Sequence, residues 1–114
     1  MTGRVTVLGG GAWGTALALT ALRGGHETRI WARDRETVRS IQEHNENPRY
    51  LPGIRFDPGL EATSDMARAL DGADCVLVAT PAQSLRGVLE SVRDDLSPSA
   101  TLVLCAKGIE RGTG

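Results

Sequence analysis

The chain has 114 residues, room for one domain of ordinary size around one core, with hydrophobic residues at 40%, charged residues at 24% and a formal net charge of -1. That balance supplies no global field for nucleic acid or an anionic membrane, so any anion site has to be local. The start, Met1-Thr2-Gly3-Arg4, has no apolar signal region and no stretch approaches the roughly 18 apolar residues of a membrane span, so a cytoplasmic protein is expected.

Arg4-Val5-Thr6-Val7-Leu8 is a short apolar run stopped by three glycines, the pattern of a buried parallel strand. Ala12 to Arg23 follows as a helix, with Ala16, Leu17, Thr20 and Ala21 at helical spacing and Gly24-Gly25 as its stop. Glu27 to Ala32 is a second strand, and Asp34 is placed to cap a polar helix reaching about His44. From Asn45 to Gly59 three prolines, two glycines and two asparagines predict a loop, with a short extended piece near Ile54-Arg55-Phe56. Alternation then resumes. Leu60 to Thr63 makes a short strand, and Ser64 or Asp65 caps a helix running to Leu70. Asp74 to Thr80 is the clearest buried strand after the first, and Pro81 suits the first position of a helix to about Leu96, where Leu85, Val88, Leu89 and Val92 form one apolar stripe. Thr101 to Ala106 is a fifth strand. Cys75 and Cys105 lie inside such apolar runs, where reduced, buried thiols are expected.

Strands alternating with helices argue a parallel sheet covered on both faces, and right-handed crossovers make a Rossmann-type doubly wound α/β sheet the natural topology. Gly9-Gly10-Gly11-Ala12-Trp13-Gly14 satisfies G-x-G-x-x-G between the first strand and the first helix. In that context Gly9 allows the tight turn, Gly11 leaves room for a pyrophosphate and Gly14 lets the helix pack closely, while the helix N-terminus offers free N–H groups. The end of the second strand reads the ribose: an acid there holds the 2′-hydroxyl of NAD, an Arg the 2′-phosphate of NADP. Here Ala32 and then Arg33 occupy that end, Asp34 comes late enough to be a cap, and Arg33, helped by Arg35, can pair with a phosphate. NADP is therefore favoured over NAD.

Four segments together resemble one family. Val7 to Ala18, Ile30-Trp31-Ala32-Arg33, Asn47-Pro48-Arg49-Tyr50-Leu51-Pro52-Gly53 and Ala106-Lys107-Gly108-Ile109-Glu110 look like the N-terminal domain of bacterial NAD(P)-dependent glycerol-3-phosphate dehydrogenase. The resemblance spans residues 1–114 as one dinucleotide-binding domain and implies reduction of dihydroxyacetone phosphate to sn-glycerol 3-phosphate, for phospholipid synthesis, by a homodimeric enzyme. It implies that Ala12, Trp13, Arg33, Tyr50 and Lys107 touch the dinucleotide and that Lys107 also meets the substrate. The family's acid/base lysine belongs to a helical C-terminal domain, so no catalytic residue is expected in this chain, which alone would be inactive. Ala12 and Ala82 stand where the family commonly has Ser. Each removes a hydroxyl but no backbone donor.

Lys107 follows the fifth strand at the carboxyl edge of the sheet, where a cation can meet a developing alkoxide or a phosphate. Thr80 and Pro81 close the neighbouring strand and are placed to wall the nicotinamide pocket. His26, in a Gly-Gly-His turn at the opposite edge, reads as structural, and His44 as solvated; no metal cluster or Ser/His/Asp set is visible. Two rival readings share the glycine loop. One is a freestanding dinucleotide-binding or redox-sensing module, against which stands a chain end at Gly112-Thr113-Gly114 that looks like mid-chain. The other is half of a nucleoside-diphosphate-sugar or hydroxyacid dehydrogenase, against which stands the Asn-x-x-Tyr-Leu-Pro segment.

Overall fold

Four consecutive buried residues, Val5 to Leu8, put β1 (Arg4–Leu8) in the middle of a sheet, since only a strand covered on both faces can bury side chains pointing both ways. In this computed structural model, which describes residues 3–56 and 58–105, β1 is flanked by β2 (Glu27–Trp31) and β6 (Cys75–Val78), both parallel to it. Outside them pair β5 (Glu61–Thr63) and β7 (Thr101–Leu104), giving the order β5-β2-β1-β6-β7. The five strands expected from the sequence are these five.

Side-chain alternation along β1 assigns the helices to faces. Val5 and Val7 pack with Ala18 and Leu19 of α1 (Ala12–Arg23) and Ile41 of α2 (Arg35–His44). Leu8 goes the other way, into a cluster with Ala69 and Leu70 of α3 (Met66–Leu70) and Val88 and Val92 of α4 (Ala82–Asp95). Thr6 shares that second face and donates its hydroxyl to the Ala69 carbonyl, which makes a buried polar group tolerable. The apolar stripe foreseen on α4 is thus the one used, with Leu85 and Leu89 packed at its margin. β7 is the sheet's exposed edge, Leu104 being 55% accessible.

Three expectations need correction. The segment after α2 is not a plain loop: β3 (Glu46–Asn47) and β4 (Leu51–Arg55) form an antiparallel hairpin with a register shift, a small second sheet. Pro52 and Gly53, with φ of +79° at the glycine, sit inside β4, and a two-stranded sheet with no further neighbour tolerates the missing N–H. The extended piece expected near Ile54-Arg55-Phe56 closes β4, after which Phe56 is buried in the α1 face. Pro81, expected inside α4, is its N-cap, with ψ of 152° outside the helical range. Cys75 and Cys105 are free but half-buried rather than buried.

Candidate functional site

The turn that leaves β1 is shaped by collisions that only glycine avoids. Gly9 has φ of +132°, and a Cβ on it would lie 2.9 Å from the Ala79 carbonyl oxygen. At Gly14 a Cβ would lie 2.0 Å from the Gly9 oxygen, so α1 starts against the turn itself. Gly10 is equally constrained: its Cβ would be 2.6 Å from that of Ala32, so the end of β2 presses on the loop. Gly11 differs, since a Cβ there would meet nothing within 4 Å. It is the N-cap of α1, makes no side-chain cap bond, and has no acidic residue in the turn that follows. The N-terminus of a 12-residue helix, with its positive dipole end, is therefore left without a side-chain cap or an acid of its own.

That open space is a cleft of about 180 Å³ at the carboxyl edge of the sheet. Gly9, Gly10 and Gly11 form its floor, and Trp31, Ala32, Arg33 and Asp34, from the end of β2, form one wall. Thr80, Pro81 and Ser84 face them from the start of α4, and Tyr50 closes the hairpin side. The Thr80 hydroxyl oxygen is buried with no partner among the described residues.

Asp34 is the cap expected of it. Its carboxylate accepts from the Glu36 N–H at 3.1 Å, from the Thr37 hydroxyl at 3.1 Å and from the Arg49 guanidinium at 2.7 Å. The Glu36 N–H above all, then Thr37 and Arg49, hold this carboxyl below its ordinary value. A ribose hydroxyl at Asp34 would have to share a carboxylate that already has three donors. Arg33 is exposed on the cleft wall beside it. Arg49 also lies 5.5 Å over the ring of Tyr50, which is 41% accessible.

The structure gathers Gly9, Gly11, Arg33, Tyr50, Thr80 and Pro81 at one cleft. Ala12 and Trp13 open α1 beyond it; Trp13 is 37% accessible and donates its indole N–H to the Cys105 carbonyl at 3.3 Å, tying α1 to the end of β7. Gly14 is buried under the turn, and Lys107 lies outside the described residues. His26 accepts from the Gly3 N–H at the opposite edge, and His44 is exposed in the last turn of α2. Burial, with Cys75 adding to it, pushes the Cys105 thiol up, the wrong direction for a nucleophilic thiolate. Among the described residues no three His, Cys, Asp or Glu gather as a metal site.

Asn47 and Arg49 escaped the residue-level reading. Asn47 is 1% accessible and donates to the Gly10 carbonyl at 2.9 Å and to the Thr15 hydroxyl at 3.0 Å. Both lay within the Asn-x-x-Tyr-Leu-Pro segment, but partners 32 and 37 residues away leave no local signal.

A parallel sheet with its central strand running through a glycine turn into a helix, and a cleft at that turn, places the molecule in the Rossmann class of α/β domains. Residues 4–114 match the family model described as NAD-dependent glycerol-3-phosphate dehydrogenase N-terminus, and the chain belongs to that family. It is 65% identical over 111 residues to the glycerol-3-phosphate dehydrogenase [NAD(P)+] of Mesorhizobium japonicum, covering 97% of this chain and 32% of that one. The Chelativorans enzyme of the same name is 60% identical, with 96% and 34% covered. The crystal structure of glycerol-3-phosphate dehydrogenase from Coxiella burnetii superposes with a TM-score of 0.87 at 29% identity, over 98% of this chain and 34% of that one. The chain thus spans about a third of the length of the relatives it matches.

Proposed function

We propose that this chain is the cofactor-binding part of an NAD(P)-dependent sn-glycerol-3-phosphate dehydrogenase that reduces dihydroxyacetone phosphate for phospholipid synthesis. The observation that carries the reading is Gly11: it alone in the loop has free space where its Cβ would be, and that space opens onto the unpaired N-terminus of α1. The pyrophosphate of a dinucleotide suits both the volume and the charge of that position. Gly9 turns the backbone toward it, and Gly14, with Ala12 and Trp13, brings α1 close behind.

NADP(H) is the favoured cofactor in this reading. Arg33 stands on the wall where the ribose would lie, and the Arg49 guanidinium at 2.7 Å offsets the negative charge that Asp34 would otherwise turn on a 2′-phosphate. Tyr50 and Pro81 bound the cleft on two further sides. When bound, the nicotinamide supplies the hydride. Lys107 is assigned by family likeness to the cofactor and to the phosphate or carbonyl of the substrate. The acid/base lysine belongs to the part of the enzyme outside this chain, which would also cover the exposed apolar side chains Leu102, Val103 and Leu104 of β7. The intact enzyme is taken to be a cytoplasmic homodimer, which light scattering on the purified protein would check.

The test is oxidation of NADPH and NADH by the intact protein with dihydroxyacetone phosphate, beside the 114-residue chain and Lys107→Ala. The intact protein should turn over, and the chain alone should stay near background. Proton transfer by a positioned group is worth about 10²–10⁴-fold and orientation more. Substantial turnover by the short chain would place catalysis within it, and full activity of Lys107→Ala would remove Lys107 from the site. A freestanding binding module would bind cofactor and never oxidise it, at either length.

A further inference from the structure

We infer that Asn47 is a positioning residue for the cofactor: by holding the Gly10 carbonyl inward it turns the Gly11 N–H outward, as a donor to the pyrophosphate. The inference rests on the dinucleotide reading above.

The Gly10 carbonyl and the Gly11 N–H belong to one peptide unit, which is trans, so they point in opposite directions. Whatever fixes the first aims the second. The group 2.9 Å from the Gly10 oxygen has to be the amide NH₂ of Asn47, because a carbonyl oxygen only accepts. The second amide proton goes to the Thr15 hydroxyl at 3.0 Å. Both donors are thereby spent on the glycine loop and on α1, whereas the amide oxygen is buried without a partner among the described residues. Among the described residues nothing accepts from the Gly11 N–H, and Gly11 lines the open cleft.

Asn47 also begins the turn that brings Arg49 to Asp34 and Tyr50 to the cleft, its carbonyl accepting from the Tyr50 N–H at 3.2 Å. One buried amide therefore ties the floor of the cleft to its hairpin wall. The Thr15 hydroxyl also reaches the Gly10 oxygen, but at 3.5 Å, and it is itself held by the second Asn47 proton.

Asn47→Asp tests this through pH. An ionised carboxylate cannot donate to the Gly10 carbonyl, whereas the protonated acid has one O–H that can. Burial disfavours the charged form and moves the introduced group's titration up toward neutrality. Asp34, Glu36 and Arg49 are the charged groups that share a cavity lining with Asn47, and they are common to both proteins. NADH is the probe, titrated by fluorescence into the intact protein, because it lacks the 2′-phosphate that titrates in the same range. At pH 8 the variant should bind about tenfold or more weakly than wild type, and at pH 5 within about threefold, as one charge-assisted contact is lost and regained. A second measurement needs no variant: in wild type carrying ¹⁵N-glycine, NADH or inorganic pyrophosphate should move the Gly11 amide resonance. Asn47→Asp binding like wild type at both pH values overturns the inference. So does a Gly11 amide that stays in place while cofactor binds, and this measurement decides if the variant is weak at every pH or fails to fold. Wild type that takes up no dinucleotide overturns the underlying reading, and this inference falls with it.

Discussion

Where β1 turns into α1, position is set by what would collide; in the hairpin across the cleft, it is set by what donates. Gly9, Gly10 and Gly14 each stand where a Cβ would strike another atom within 3 Å, so no other residue type fits these three positions. The hairpin has few such constraints. A Cβ at Gly53 would meet nothing within 4 Å, Pro52 and Gly53 interrupt β4, and Asn47 and Arg49 hold the segment through bonds to Gly10, Thr15 and Asp34. Steric definition is indifferent to pH and salt, whereas a hydrogen-bonded wall responds to both. Under the proposed function, that division would give a rigid floor to the pyrophosphate and an adjustable wall to the ribose end.

Gly14→Ala tests the floor and carries the largest expected effect. Its methyl would sit 2.0 Å from the Gly9 oxygen, a backbone atom that cannot rotate aside. Stability should fall by roughly 3 kcal/mol or more, at the upper end of overpacking costs, in denaturant unfolding of the intact protein. A variant as stable as wild type would mean that the turn yields easily. Gly11→Val is its counterpart. Nothing obstructs the side chain, so the fold should lose no more than about 1 kcal/mol, the scale of a poor N-cap, while dinucleotide binding disappears from calorimetry. Wild-type affinity in that variant would reduce the loop to a turn.

Arg33→Ala probes the wall. A charge-assisted bond to a 2′-phosphate is worth about 1.5–3 kcal/mol, so the NADP-to-NAD affinity ratio should drop roughly ten- to hundredfold. The loss should be smaller at high salt, because Arg33 is exposed. An unchanged ratio would move the reader elsewhere, with Arg49 next in place.

The two regions also differ in how far the sequence discloses them. Strand, glycine spacing and helix were legible at β1 and α1 because period and sterics act over a few residues. The same held for Asp34, whose cap bond spans two residues. The hairpin was hidden: Pro52 and Gly53 break the alternation that marks strands, and β3 is two residues long. Asn47 looked like one more loop residue because its partners are 32 and 37 positions away. Gly10 gave no sign of its own role either, the reason for it being Ala32 on another strand. Family likeness pointed to Tyr50 without saying what holds it there.

Asp34→Asn sharpens the comparison with the smallest effect, since it alters two contacts of one wall residue and leaves the floor alone. Asn is as good an N-cap as Asp, so the bond from the Glu36 N–H survives, while the Oδ2 that accepts from the Thr37 hydroxyl at 3.1 Å and meets Arg49 at 2.7 Å becomes an NH₂. In the folded protein the Glu36 N–H, the Thr37 hydroxyl and Arg49 keep this carboxyl below its ordinary value of 3.8. A group whose folded value is depressed stabilises above its unfolded value, and loses that contribution as pH falls through the folded value. The thermal midpoint of wild type should therefore exceed that of Asp34→Asn slightly at pH 7, and the gap should close as pH falls below about 3.8. Salt should narrow the gap at pH 7, because Arg49 is well exposed. A gap that persists unchanged at low pH would assign the effect to packing at the α2 cap. The wall would then be as steric as the floor.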